Sequence, residues 1–104
     1  MQIEKKDFKK LLKEANEALE KNNIIQAKKL FEKIILINPD IAGIHNNLGI
    51  INLNEGNIDI SINYFKKAIE LNPKISISYS NLGLAFSKIK KNTQAINNYI
   101  KAIE

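Results

Sequence analysis

The stretch INPDIAGIHNNLG, residues 37–49, is answered thirty-four residues later by LNPKISISYSNLG, residues 71–83. Two punctuation marks share that interval: Ile37-Asn38-Pro39 returns as Leu71-Asn72-Pro73, and Asn47-Leu48-Gly49 returns as Asn81-Leu82-Gly83. A fixed period of this length is the mark of a repeated supersecondary unit that cannot bury its apolar face alone and must stack on its neighbours. The period divides the chain into repeats at about 8–41, 42–75 and 76–104, the last cut short before its end.

Working outward, each repeat holds two amphipathic helical patterns. In the middle one, Ile44, Leu48 and Ile51 and then Ile58, Ile62, Phe65 and Ile69 recur at the three-and-four spacing that places side chains on one face of a helix. Between them lies Asn54-Glu55-Gly56-Asn57. Gly56 suits the left-handed residue that closes a helix, and Asn57 is expected to cap the next helix by accepting backbone N–H groups. Asn22 and Lys90 hold the positions equivalent to Gly56, and because lysine tolerates that region least, the third turn is expected to be the most strained. Pro39 and Pro73 follow the second helix of their pairs, which they cannot continue.

Composition narrows the function. The 104 residues make one domain by size, 1–104, able to bury about two-thirds of its unfolded surface. There is no cysteine, so disulfides and thiolate chemistry are excluded. The first residues run into a charged periodic segment without a signal peptide's apolar stretch, and no run reaches membrane-spanning length, which points to a cytoplasmic protein with no membrane partner. The net charge of +5 is carried by sixteen lysines with no arginine, and lysine lacks the planar fork that reads phosphate bidentately. Nucleic acid is thus a weak candidate partner. A basic patch formed by Lys66, Lys67, Lys88, Lys90 and Lys91 is read first as solvated surface.

Catalysis has no constellation to stand on. His45 is the single histidine, no carboxylates pair at a working spacing, and the four glycines are scattered rather than gathered into a phosphate-cradling loop. We therefore expect no enzyme, no catalytic residue, no metal site and no cofactor. His45 is read as a ring packed between helices or at the surface.

Taken together, the residues resemble the tetratricopeptide repeat. The third repeat supplies Tyr79, Leu82, Gly83, Phe86, Ala95, Tyr99 and Ala102 of its pattern, and the second supplies Leu48, Gly49, Ser61, Phe65, Ala68 and Pro73. The first keeps Ala15, Ala27, Phe31 and Pro39 but has Glu14 where leucine is usual and Ile34 where alanine is usual, as suits a terminal repeat. Gly49, Gly83 and Ala15, with Ala68 and Ala102, stand where paired helices must approach closely. The resemblance implies an all-α, right-handed superhelical array of three helix-turn-helix pairs, with the first helices lining a concave face that binds a protein or peptide. On that face the candidates are Leu12, Asn16 and Leu19 in the first repeat, Asn46, Asn47, Ile50, Leu53 and Asn54 in the second, and Ile77, Asn81, Leu84 and Lys88 in the third.

Asn47 and Asn81 resemble the asparagine ladder of a superhelical glycosyltransferase of the family, suited to holding a ligand's main chain. Another family function, gripping the acidic tails of chaperones, uses two asparagines and three basic residues. Asn16 and Asn47 match the amides, but Leu12, Ile77 and Asn81 stand in the basic places, so acidic chaperone tails are not expected to bind. In the truncated last repeat Ile96, Tyr99 and Ile103 are left for self-association, making a homo-oligomer the second functional reading.

Overall fold

The computed structural model describes residues 4–104. Among these, six α-helices and no strand are found: α1 Lys5–Glu20, α2 Ile24–Ile37, α3 Ala42–Asn54, α4 Ile58–Leu71, α5 Ser76–Lys88 and α6 Asn92–Ile103. They form three helix-turn-helix pairs whose limits follow the 34-residue period. The chain divides into two compact units, Met1–Asp40 and Ile41–Glu104. In the first, α1 packs on α2; in the second, α3 packs on α4, α4 on α5 and α5 on α6, and α3 also touches α5.

The three turns within the pairs are built alike. Gly56 has φ 85°, and Asn22 and Lys90 both have φ 61°, so the left-handed residue recurs at the expected position in every repeat. Around it the amides close two bonds each time. Gly56 N–H donates to Leu53 O at 3.1 Å and Asn57 N–H to Asn52 O at 2.8 Å; Asn22 and Asn23, and Lys90 and Lys91, make the same pair of bonds. This double closure satisfies carbonyls that the helix end would leave open. Asn57 occupies the N-cap of α4 but does not cap it through its side chain. Its Nδ2 donates instead to Asn52 Oδ1 at 3.3 Å, while Asn52 Nδ2 donates to Leu48 O at 2.8 Å. The buried acceptor on α3 takes up the side chain that the sequence assigned to the α4 amides. At the ends of α2 and α4, Asn38 and Asn72 are the last half-helical residues, and their side-chain oxygens accept from Asp40 N–H at 3.0 Å and Lys74 N–H at 3.2 Å. Pro39 and Pro73 sit inside these turns.

In the first unit Ala15, Ala18, Ala27, Phe31 and Ile34 are buried. In the second, Leu53, Ile62, Phe65, Leu82 and Ala85 form a core against which Ile50, Ile58, Ile69, Phe86 and Ile89 pack. Gly49 is required by this arrangement: a Cβ placed there would lie 2.5 Å from Cε1 of the fully buried Phe65 ring. Gly83 is close to Tyr99 in the same way, at 2.8 Å. The aromatic residues thus fill space between paired helices, although Tyr99 remains exposed along one edge and Ala102 is only half-buried.

Candidate partner-binding surface

Most of α3 is inside. Ile44, His45, Asn46, Leu48, Gly49, Ile51, Asn52 and Leu53 are all buried, which leaves one narrow stripe facing outward, formed by Gly43, Asn47, Ile50 and Asn54. The steps of four, three and four residues keep these on a single side of the helix. On α5 the residues one period later, Ile77, Asn81, Leu84 and Lys88, make the corresponding stripe, with Ile77 55% and Leu84 42% exposed. On α1 the equivalent positions are Lys9, Lys13, Asn16 and Glu20, all exposed, with Leu12 and Leu19 half-buried beside them.

A buried polar contact ties α3 to α5. Asn46 Oδ1 accepts from Ser78 Oγ at 2.9 Å and from Asn81 Nδ2 at 3.3 Å. Ser78 is fully buried and Asn46 nearly so, and Asn81 is the stripe residue at their edge. Satisfied buried polar groups of this kind fix one packing geometry, because any slip leaves a desolvated amide without a partner. The candidate set from the sequence is changed in two places. Asn46 spends its carbonyl inside the molecule, and Leu53 belongs to the hydrophobic core. Neither offers surface to a partner: the helix turns 100° per residue, and both lie on the buried side of the stripe. Ile50 divides its area between core and stripe. Ser78 was not among the candidates, yet the sequence carried a sign of it, since one period earlier stands Ile44, a core position where a hydroxyl demands an acceptor.

His45 is buried with its ring 6.0 Å from that of Tyr64, tilted by 41°. Among the described residues no group of three or more histidine, cysteine or acidic side chains is placed to hold a metal. Two of the five lysines expected to form a patch have local contacts: Lys66 Nζ lies 5.8 Å from the Phe86 ring centre, and Lys67 Nζ lies 3.6 Å from Glu70 Oε1. A second basic corner is formed by Lys74 and Lys101 around Tyr79, with Glu104 on its rim. On α6, Ile96 is 57% and Ile103 86% exposed, and Tyr99 and Ile100 also reach the surface. One period earlier on α4, Ile62 is only 7% exposed and Phe65 fully buried, because α5 packs over them.

Helical pairs repeating at this period, with glycine at the close approach and a left-handed residue at each turn, define an α-helical repeat protein. The chain belongs to the tetratricopeptide repeat family: two models of that repeat match it, over residues 42–75 and 64–104, together more than half of its length. The first match coincides with the middle repeat as read from the period. Solved structures share the fold. A chain of the CopN–Scc3 complex superposes with a TM-score of 0.87 at 15% identity, covering 96% of this chain and 59% of that one. The TPR domain of Arabidopsis OM64 gives 0.85 at 17% identity over 92% and 79% of the two chains. The TPR2B domain of yeast Sti1, solved in a complex with pHsp70, gives 0.83 at 21% identity over 91% and 76%. MamA gives 0.80 at 21% identity, and the present chain spans 52% of its length. No curated protein sequence matches significantly.

Proposed function

We propose that this chain is a non-catalytic docking module that holds a peptide or polypeptide segment on the stripes of its first helices. The carrying observation is that α3 and α5, after supplying the core, each keep one outward stripe in which asparagine and aliphatic residues recur in the same order, Asn47 and Ile50 on one, Asn81 and Leu84 on the other. An amide can donate to a main-chain carbonyl and accept from a main-chain N–H, each bond contributing about 0.5–1.5 kcal/mol, while aliphatic neighbours select side chains. Asn54, Ile77 and Lys88 complete the surface of the second unit that we assign to the partner; on the first unit, taken by itself, Asn16 and the half-buried Leu12 and Leu19 hold the same repeat positions. The family and the complexes in which chains of this fold have been solved support protein binding as the general role. A cytoplasmic setting fits a chain that has no cysteine and, among the described residues, no helix long and apolar enough to cross a membrane.

The test is selection of a displayed random-peptide library on the intact protein, followed by calorimetry of the recovered peptides. The double variant Asn47→Ala/Asn81→Ala should weaken them about ten-fold or more, the equivalent of two lost hydrogen bonds. Retention of full affinity would remove the stripes from the binding surface. Acidic chaperone tails are not assigned to this surface, because Leu12, Ile77 and Asn81 hold the places where basic residues would meet a terminal carboxylate. Micromolar binding of an acidic C-terminal peptide, lost on amidating its carboxylate, is the result that overturns this.

A second reading is favoured by α6. Its uncovered face, Ile96, Tyr99 and Ile103, is the counterpart of a face on α4 that another helix covers, and a second copy of the chain can supply that cover. Light scattering of the protein and of Ile103→Lys decides it: a dimer that the lysine dissociates supports self-association, and a monomer in both refutes it. An anionic partner at the lysine-rich turns ranks third, since arginine is absent and Phe86 is engaged with Lys66.

A further inference from the structure

The two stripes of the second unit carry little charge, as does α6, whose only charged residue is Lys101. Helix α3 contains no Asp, Glu, Lys or Arg at all, and α5 contains only Lys88, in its last turn. The α1 stripe, at the same positions of the repeat, has charges at Lys9, Lys13 and Glu20. Across α3 and α5 the outward residues form neutral rows: Asn47 pairs by position with Asn81, and Ile50 with Leu84. The chain as a whole carries +5, so this neutral strip lies within a basic molecule.

Its amide row is oriented from inside. Asn81 donates one N–H to Asn46 Oδ1, and Asn46 is itself held by the buried hydroxyl of Ser78. That bond fixes the plane of the Asn81 amide and leaves its carbonyl oxygen and second N–H for another group. Packed helices lie about 8–10 Å apart and an extended chain advances about 3.3 Å per residue, so roughly three residues of a ligand step from Asn47 to Asn81.

We infer that the α3–α5 surface selects an extended polypeptide segment whose central residues, those over Ile50 and Leu84, are uncharged and aliphatic, and rejects segments charged at those positions. This rests on the docking reading above and adds the chemistry of the partner. A charged side chain lowered onto Ile50 and Leu84 gives up water there, and the one charge of the two stripes, Lys88, stands at their end, a turn further along α5; a neutral side chain avoids that cost. Asn46 and Ser78 act as positioning residues for Asn81 and do not themselves touch the ligand.

The experiment uses the peptides recovered from the displayed library on the full chain. Peptides whose binding depends on Asn47 and Asn81 are expected to lack Asp, Glu, Lys and Arg at their central positions, and their Kd should change by less than about two-fold between about 0.05 M and about 0.5 M salt, since screening acts only on charges. Leu84→Lys, a change at a side chain already exposed, should weaken the neutral peptides and confer salt-sensitive binding of versions carrying a glutamate. Enrichment of acidic or basic peptides that still depend on Asn47 and Asn81, with affinity falling about ten-fold or more over the same salt range, overturns the selectivity and leaves the docking reading standing. If no recovered peptide depends on those asparagines, the docking reading fails and this inference fails with it.

Discussion

Small residues in this chain act through what stands opposite them, and three glycines show how differently one substitution behaves. Gly49→Ala drives a methyl into the Phe65 ring, which is fully buried and has nowhere to retreat, so a loss of about 1–3 kcal/mol is expected by urea denaturation. Gly83→Ala meets Tyr99, whose exposed edge lets the ring move, but also the Ala95 carbonyl oxygen at 3.1 Å, and a smaller loss is expected. Gly43 has no atom within 4 Å of the added carbon and sits in the first turn of α3, so Gly43→Ala is expected to stabilise by up to about 1 kcal/mol. At the turns, Lys90 pays the steric cost of a left-handed backbone that Gly56 does not. Lys90→Gly should therefore raise the denaturation midpoint by the equivalent of about 1 kcal/mol, and Gly56→Ala should lower it by a similar amount. His45→Phe, keeping a ring against Tyr64, is expected to leave stability and peptide binding nearly unchanged.

Between elements of the second unit, the core contacts are apolar, and α3 is tied to α5 through the polar group of Asn46, Ser78 and Asn81. Ser78→Ala leaves Asn46 with a single partner in a buried place, and a loss of about 1–2 kcal/mol is expected. The same variant provides a sharper readout, because an Asn46 no longer held by Ser78 positions Asn81 less firmly, which should also weaken the selected peptides while the exposed stripe itself is unaltered. If Ser78→Ala costs stability and leaves peptide affinity untouched, Asn46 and Ser78 serve packing alone. The three turns share their paired backbone bonds from residues 22 and 23, 56 and 57, and 90 and 91, to which the second adds the side-chain bond from Asn57 to Asn52. Their backbone does the closing, which is why asparagine, glycine and lysine can occupy the same place.

For the molecule as a whole, charge is distributed by helix. Lysine and glutamate crowd α1, while α3 and α5 are left almost bare of charge in a chain of net +5. The docking proposed above thus falls on helices with little charge of their own. The uncovered face of α6 belongs to this scale too. A concentration-dependent rise in thermal midpoint, absent in Ile103→Lys, is the expected signature if copies of the chain cover it.

The helix pairs, their turns and their family were legible in the sequence, because each depends on spacing along the chain: a period of thirty-four for the pairs, three and four for the apolar faces, glycine or asparagine where the backbone turns left-handed. The repeat pattern also found the close approaches at Gly49 and Gly83, since a missing side chain in an apolar run leaves room for a ring. Which residues of a helix remain outside was legible only in part. Asn46 and Asn47 are adjacent amides of one type, as are Leu53 and Asn54 adjacent members of the candidate surface, yet a turn of 100° puts the first of each pair inside and the second out. Likewise Asn57 gave up the role of cap because a buried acceptor, Asn52, lies within reach only after the helices fold against each other. Local spacing fixes the elements; which polar atoms meet is settled by what the packed helices bring within about 3 Å.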